Sequence, residues 1–301
     1  MIRYSIAICT YNRAELLRTT LRSLEQVVGI DAADVEVVIV DNNSTDDTPQ
    51  VLLHPTGRLR LIVVQESQQG HCFARNRAVA QAQGEVILWT DDDVQFDRHW
   101  LAEYRQVIQE DHASSFWGGP IQPKFLDPAP KWIQENWKRL GGCFAARDLG
   151  PTPRVLDAEH LPYGANFAVR RDLCQQFPFD TQLGRKGNAV VGEDERDFLL
   201  RLVQQGHAGR WVPTAKIEHL IPKSRATLQY VAQYFAGQAR VQAYRGQQPT
   251  MTKREFAQAV SHHWLRWHGA RWICSSSVWL EHWIKLAMFR EWHQGNSVNA
   301  N

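Results

Sequence analysis

The chain predicts an α/β fold: a mostly parallel sheet flanked by helices, followed by a helical C-terminal extension. Three observations carry that prediction. Short apolar, β-branched runs alternate with segments of helical period through roughly the first hundred residues. Three of those runs end in polar clusters, at Thr10–Arg13, Asp41–Ser44 and Asp91–Asp93. Beyond Pro222 strand-like runs stop and the period becomes helical throughout.

Taken in order, Tyr4 to Cys9 reads as a buried first strand, and Thr10-Tyr-Asn-Arg13 as a polar turn rich in helix-capping residues. Leu16, Leu17, Thr20, Leu21 and Leu24 then share one helical face. Val35 to Val40 is a second strand, and Thr45 to Thr48 carries the capping chemistry of a short helix. Leu59 to Val64 is a third strand. Gly70 to Ala82 contains a helix bearing Arg75, broken by Gly84, and Val86 to Thr90 is a fourth strand. In a sheet wound this way, ligands bind beyond the carboxyl ends of the strands, where all three polar clusters fall.

The third cluster is the most informative. Val86 to Thr90 runs directly into Asp91, Asp92 and Asp93, and unpaired carboxylates are too costly to bury. They are expected at the open mouth of the strand. In extended chain Asp91 and Asp93 point to one side and Asp92 to the other. Hard divalent cations, which prefer oxygen ligands, would relieve the repulsion. A solvated acidic turn is the plainer alternative for three aspartates taken by themselves.

Composition narrows the classes. The 301 residues are 44% hydrophobic and 22% charged, as in an ordinary soluble protein, and a net charge of +2 gives no footing for a nucleic-acid binder. The five cysteines (Cys9, Cys72, Cys143, Cys174, Cys274) are scattered, without a Cys-x-x-Cys, so neither a disulfide framework nor a structural zinc site is expected. No run approaches the roughly 18–20 apolar residues that span a bilayer, and the N-terminal strand is too short for a signal peptide. The expected location is the cytoplasm. Neither Gly-x-Gly-x-x-Gly nor Gly-x-x-x-x-Gly-Lys-Ser/Thr is present, which disfavours dinucleotide oxidoreductases and P-loop enzymes.

The series Ala7-Ile-Cys-Thr-Tyr-Asn-Arg13, Val40-Asp-Asn-Asn-Ser44, Ala74-Arg-Asn76 and Thr90-Asp-Asp-Asp93 resembles the family 2 glycosyltransferases. Tyr163-Gly-Ala-Asn-Phe-Ala-Val169, Gly192-Glu-Asp-Glu195 and an isolated His219 extend the likeness over residues 1 to 225. It implies a GT-A fold, built on a Rossmann-like sheet, and an inverting enzyme that uses a nucleotide-sugar donor. It also implies roles. Thr10, Tyr11, Arg13, Asp41, Asn43, Arg75, Asp91, Asp92, Gly164 and Asn166 would form the nucleotide and donor site. Asp41 would bond the base or ribose, and Arg75 would meet the nucleotide or orient the aspartates. Asp93 and His219 would hold a divalent metal, Mn²⁺ or Mg²⁺. Asp194 would be the catalytic base, with Glu193 shaping the acceptor side. Several site residues have a structural alternative: Asp41 as a helix cap, Arg13 as a solvated side chain, Arg75 in a surface ion pair, His219 as a structural histidine, Asp194 and Glu193 as acidic residues favoured at a helix start.

The implied division is a nucleotide-sugar half over 1–115, an acceptor-side half over 116–225 and a Trp-rich extension over 226–301. In the extension Leu228, Val231, Tyr234, Phe235 and Ala239 fit one helical face. Leu265, Trp272, Trp279 and Leu286 recur at sevenfold spacing, with Trp283 beside them. Such a stripe packs on the protein body, lies in a membrane interface or forms an oligomer seam. The implied partners are a nucleotide-sugar donor and a glycan or lipid-linked acceptor in bacterial polysaccharide assembly, with peripheral attachment to the inner membrane face left open. A sugar nucleotidyltransferase and a non-catalytic glycan- or nucleotide-binding protein are the competing readings. The first is disfavoured because Thr-Tyr-Asn-Arg stands where a Gly-rich basic loop would follow the first strand.

Overall fold

The computed structural model describes residues 1–53, 57, 59–186, 192–273 and 275–298, with side chains at all of these except 253, 271–273 and 293–298. Four strands, β1 (Tyr4–Thr10), β2 (Val35–Asp41), β3 (Leu61–Gln65) and β4 (Val86–Asp91), are connected by α1 (Ala14–Leu24), α2 (Thr48–Leu53) and α3 (His71–Gln81). They pair in parallel in the order β3-β2-β1-β4. Every residue of β2 is buried, as a central strand covered on both faces requires. The apolar stripe of α1 buries Ala14, Leu17, Thr20, Leu21 and Leu24.

Beyond β4 the chain forms β5 (Val94–Phe96), α4 (Trp100–Glu110), β6 (Ser114–Gly118), β7 (Ile121–Phe125), α5 (Lys131–Glu135) and α6 (Trp137–Leu140). There follow β8 (Val155–Leu156), β9 (Asn166–Arg170), α7 (Arg171–Gln176), α8 (Asp194–Gln204), β10 (Ala208–Trp211) and β11 (Ile217–Ile221). Among the described residues the large sheet has eight strands in the order β3-β2-β1-β4-β9-β6-β10-β8, and a smaller one the order β5-β11-β7. The sheet is therefore not uniformly parallel. Strand β9 lies antiparallel to both β4 and β6, and the chain reaches it from β6 by way of β7, α5, α6 and β8, not through a single crossover helix.

By contacts the chain forms two compact units: Met1–Lys124, Phe144–Gly187 and Asp194–Leu220 in one, Phe125–Cys143, Asn188–Glu193 and Ile221–Asn301 in the other. In the first, Trp89, Trp100, Trp117 and Trp211 are fully buried. Each such ring contributes on the order of 1.5–3 kcal/mol through burial.

One polar residue organises that core. Asn166 is fully buried, and its side-chain oxygen accepts from Trp100 Nε1 at 2.9 Å and Tyr104 OH at 3.0 Å. Its amide nitrogen donates to the carbonyls of Pro120 at 3.0 Å and Ala215 at 2.8 Å. All four bonding positions of the amide are thus used inside the protein. Gly119 makes this approach possible, since a Cβ there would stand 2.2 Å from the Ala215 carbonyl. Sequence resemblance assigned Asn166 to the donor site; the structure gives it an internal role. Asn166→Ala is expected to cost about 1–3 kcal/mol for each group left unpaired, read by urea unfolding. A loss below about 0.5 kcal/mol would count against this role.

In the second unit, α9 (Leu228–Tyr244), α10 (Lys253–Ile273) and α11 (Ser276–Val298) are long helices, and α11 packs against α9, α10 and α5. Their core joins Ala239, Phe289 and Trp292 to Met251, Phe256 and Met288. Trp283 Nε1 donates to the Leu228 carbonyl at 3.2 Å, and its ring lies 4.8 Å from that of Trp267. The sevenfold set does not form one buried stripe. Leu286 is buried and Trp279 half-buried beside Trp132, yet Leu265 is 63% exposed; the Trp272 side chain lies outside the described residues. On α9 Val231 and Ala239 are buried as the period predicts, but Tyr230 and Ala236 are buried while Leu228, Tyr234 and Phe235 are half-buried. Cys9, Cys72, Cys143 and Cys174 are free thiols, and Cys274 lies outside the described residues. No described helix is long and apolar enough to cross a membrane.

Candidate active site

Parallel pairing brings the three strand ends level. Thr10 is opposite Asp41 and Cys9 opposite Asp91, so the polar clusters meet at one sheet edge. The following loops are laced together: Asn12 Oδ1 accepts from Thr45 N at 2.7 Å, and Asn12 N donates to Ser44 Oγ at 3.0 Å. Asn12 and Asn43 take left-handed backbone angles, φ 52° and 67°, which Asn adopts more readily than most residues. Asp41 is buried and accepts from Ser44 N at 3.0 Å, whereas Tyr11 is half-buried and Asn43 exposed. Asn42, which sequence reasoning passed over, ties the end of β2 to the loop before α3 by accepting from Gly70 N and donating to the Glu66 and Gln68 carbonyls.

The aspartates depart from the expected open mouth. Asp91 is half-buried, but Asp92 and Asp93 are 3% and 0% exposed. Arg13 makes this possible, since its Nη1 lies 2.7 Å from Asp92 Oδ1 and 2.8 Å from Asp93 Oδ2. Thr10 Oγ1 donates to Asp92 Oδ2 at 2.8 Å. One guanidinium thus offsets two buried carboxylates, which desolvation alone would forbid. Burial, helped by the charge of Asp93, still outweighs Arg13 and holds the Asp92 carboxyl above its ordinary range.

The antiparallel β5–β11 pairing sets His219 opposite Val94, immediately after the aspartates. His219 Nε2 lies 3.1 Å from Asp93 Oδ1, and Leu220 N donates to the Asp93 carbonyl. Asp91, Asp93 and His219 each offer a ligand atom, all within 4.8 Å of one another. Two carboxylates and one imidazole fit a divalent ion of the Mn²⁺ type. Asp91 and Asp93 share the side of His219 and Asp92 meets Thr10, while Arg13 bridges Asp92 and Asp93.

A second cluster forms around Asp194, the first residue of α8. Arg75, expected at the nucleotide or beside the aspartates, is buried under Trp89, Phe167 and Phe179, whose ring centres lie 5.3, 5.6 and 5.0 Å from its guanidinium carbon. Its Nε is 3.5 Å from Asp194 Oδ2, and its Nη2 donates to the carbonyl of Gly164. His71 Nδ1 is 3.0 Å from the same Asp194 oxygen. His71 and Arg75 stand four apart on α3, hence on one face; that spacing was the available signal for His71, which sequence reasoning missed. Gly184, with φ 79°, admits the close packing, because a Cβ there would lie 2.8 Å from Cys72 Sγ and 3.5 Å from Asp194 Cγ. Burial works to raise the Asp194 carboxyl, but Arg75 and then His71 hold it well below the ordinary carboxylate range. Burial, and next the Asp194 charge, push its neighbour Glu195 up to about 8. Glu193 turns elsewhere: its φ is 72°, and its Oε2 lies 3.6 Å from Arg245 Nη1.

The Asp194 and Glu195 shifts have opposite signs for stability. A carboxyl raised in the fold loses its contribution as pH rises through its folded value, here about 8, whereas Asp194 loses its own as pH falls through the acid range. Wild-type protein is therefore expected to lose melting temperature between about pH 5 and pH 8, where the unfolded chain has given up this proton and the fold retains it, by more than Glu195→Gln, which mimics the protonated form. Equal losses in the two proteins would remove the proton from Glu195.

The chain matches the family described as "Glycosyl transferase family 2" over residues 5–176. It is 25% identical over 235 residues to a succinoglycan biosynthesis protein, ExoM, of Rhizobium meliloti, covering 77% of this chain and 71% of that one. It is 22% identical over 242 residues to a glucosyl-dolichyl phosphate glucuronosyltransferase of Haloferax volcanii, covering 76% and 73%. Over a shorter stretch of 119 residues, 38% of each chain, it is 30% identical to a Campylobacter jejuni beta-1,3-glucosyltransferase acting on GalNAc(5)-diNAcBac-PP-undecaprenol. Among solved structures, the mannosyltransferase PcManGT of Pyrobaculum calidifontis, in complex with GDP-Man and Mn²⁺, superposes with a TM-score of 0.59 at 18% identity, covering 99% of this chain and 88% of that one. S. aureus TarS 1-349 with UDP-GlcNAc gives 0.54 at 19% identity, covering 84% and 69%. Both have the GT-A fold, and so does this chain. With the family match running through more than half of its length, from β1 to the end of α7, the chain belongs to glycosyl transferase family 2.

Proposed function

We propose that this glycosyltransferase moves a hexosyl group from a nucleoside diphosphate sugar, UDP-linked in our reading, to a hydroxyl of a growing bacterial glycan, with inversion. The observation that carries the proposal is the grouping of Asp91, Asp93 and His219 within ligand distance at the sheet edge that also presents Asp41 and Thr10. Asp41 would accept from the base or ribose, with Thr10, Tyr11, Asn43 and Gly164 lining the donor site. Asp91, Asp93 and His219 would hold the metal, which when bound neutralises the diphosphate leaving group. Arg13, in contact with both carboxylates, offsets the repulsion between Asp92 and Asp93 and orients them. In the transfer the acceptor oxygen attacks the anomeric carbon as the bond from that carbon to the diphosphate oxygen breaks. The acceptor's proton goes to the base, of which Asp194 is the carboxylate, and Glu193 would border the acceptor. One displacement without a covalent intermediate inverts the anomeric centre.

A panel of UDP-glucose, UDP-galactose, UDP-N-acetylglucosamine and GDP-mannose tests the reading, with melting temperature and nucleoside diphosphate release measured with Mn²⁺ and in excess chelator. At least one uridine donor should stabilise the protein and turn over only with metal. Stabilisation by GDP-mannose alone would overturn the uridine assignment.

For the acceptor we propose a lipid-linked glycan at the inner face of the membrane. The C. jejuni and H. volcanii relatives are named for polyprenyl-linked substrates, which supports this. On α10, Trp264 and Leu265 are 50% and 63% exposed beside the exposed Arg266, a composition suited to an anionic bilayer surface. The full chain is expected to sediment with phosphatidylglycerol vesicles at low salt and Trp264→Ser/Leu265→Ser to remain in solution. Equal sedimentation of both proteins, or none, would remove α10 as the contact.

A further inference from the structure

We propose that His71 forms a carboxylate–imidazole dyad with Asp194 and is the terminal acceptor of the acceptor hydroxyl's proton. The inference rests on the reading of Asp194 as the carboxylate of the base, and it names the atom that takes the proton. Asp194 is 4% exposed, and its Oδ2 meets both Arg75 Nε at 3.5 Å and His71 Nδ1 at 3.0 Å. The His71 side chain is 24% exposed, so the dyad runs from a buried carboxylate to a ring that reaches solvent.

The two members differ as bases. A carboxylate held by a buried guanidinium retains a proton poorly, in line with the depression of Asp194, and base efficiency falls as the pKa drops below the working pH. An imidazole whose Nδ1–H donates to a carboxylate presents a basic Nε2, and the carboxylate stabilises the imidazolium that forms. In this scheme the acceptor O–H breaks as its oxygen bonds to the anomeric carbon. The proton goes to His71 Nε2, Nδ1–H remains bonded to Asp194, and the proton leaves to water through the exposed ring. Nothing else is consumed. Arg75, whose place in the aromatic cage is fixed, holds Asp194 anionic throughout.

The groups facing the dyad are Arg75 and Cys72 on α3, Glu195 on α8 and Cys9 on β1, and Asp180 in the segment after α7 acts on Cys72. Lys186 lies near the start of α3, over Phe73. Burial pushes the Cys9 thiol up to about 12 and raises the Cys72 thiol as well, so neither competes for the proton near neutral pH.

The test uses full-length His71→Ala, His71→Asn and Asp194→Asn with Mn²⁺ and the sugar nucleotide turned over fastest in the panel, with donor-dependent melting as the control for folding. Both His71 variants should keep donor KM and lose kcat by about 10²-fold or more. The acidic limb of the wild-type pH–rate profile should disappear, and added imidazole should restore part of the His71→Ala rate. Wild-type kcat and an unchanged acidic limb in His71→Asn, with Asp194→Asn inactive, would overturn the dyad and leave Asp194 as sole base. Loss of rate without imidazole rescue and with the limb retained would make His71 a structural residue and overturn it equally. Full activity in both the Asp194 and His71 variants would instead remove the base reading beneath it.

Discussion

Asp194→Asn is expected to lower transfer by about 10²–10⁴-fold while leaving the binding of donor and metal in place. The carboxylate stands at the start of α8, whose positive end favours its anionic form, and it is buried against Arg75. The amide keeps the shape but removes the charge that a developing cation on the proton acceptor needs. It also leaves the buried Arg75 guanidinium without its counter-charge, which costs stability, so melting temperature must be recorded beside rate. Glu193→Gln is the contrasting change. Its side chain meets Arg245, and the effect is expected in acceptor KM more than in kcat. A near wild-type transfer rate in Asp194→Asn would move the role to another group.

The second large effect is expected at Asp93. This carboxylate is fully buried between Arg13 and His219, so it is both a ligand candidate and the member of the cluster most restrained by the protein. Asp93→Asn should abolish metal-dependent tightening of nucleotide-sugar binding and reduce turnover by about 10²-fold or more, since charge stabilisation by a metal amounts to several kcal/mol. Chelator should do the same to wild type and have little further effect on the variant. Asn is preferred to Ala because Arg13 balances two carboxylates here; emptying the site would disturb a buried ion pair as well as the metal. Calorimetry with a UDP-sugar, with Mn²⁺ and with chelator, reads the difference. Equal affinities in the two conditions would contradict the metal site.

The parallel half of the sheet was legible because a strand covered on both faces must be an unbroken apolar run: β1, β2 and β4 fall within a residue of their predicted bounds. The antiparallel entry of β9 was not, since local pattern carries strand identity but not direction. Three adjacent aspartates announced a site, yet their burial depended on Arg13, a partner about eighty residues away, and no local argument supplies it. Asn166 shows the same limit. Its place in a small, polar motif suggested ligand contact, and only the fold reveals that Trp100, Tyr104, Pro120 and Ala215 exhaust its amide. The tail misled through periodicity, because α9 and α10 each pack on α11 and the buried positions are set by that neighbour, and Leu265 fell outside.

A single inverting displacement leaves its record in the stereochemistry of the product. Proton NMR of the glycoside formed from an α-linked UDP-hexose should show a β-anomeric signal from the first time point. An α-linked product would mean retention and contradict the account.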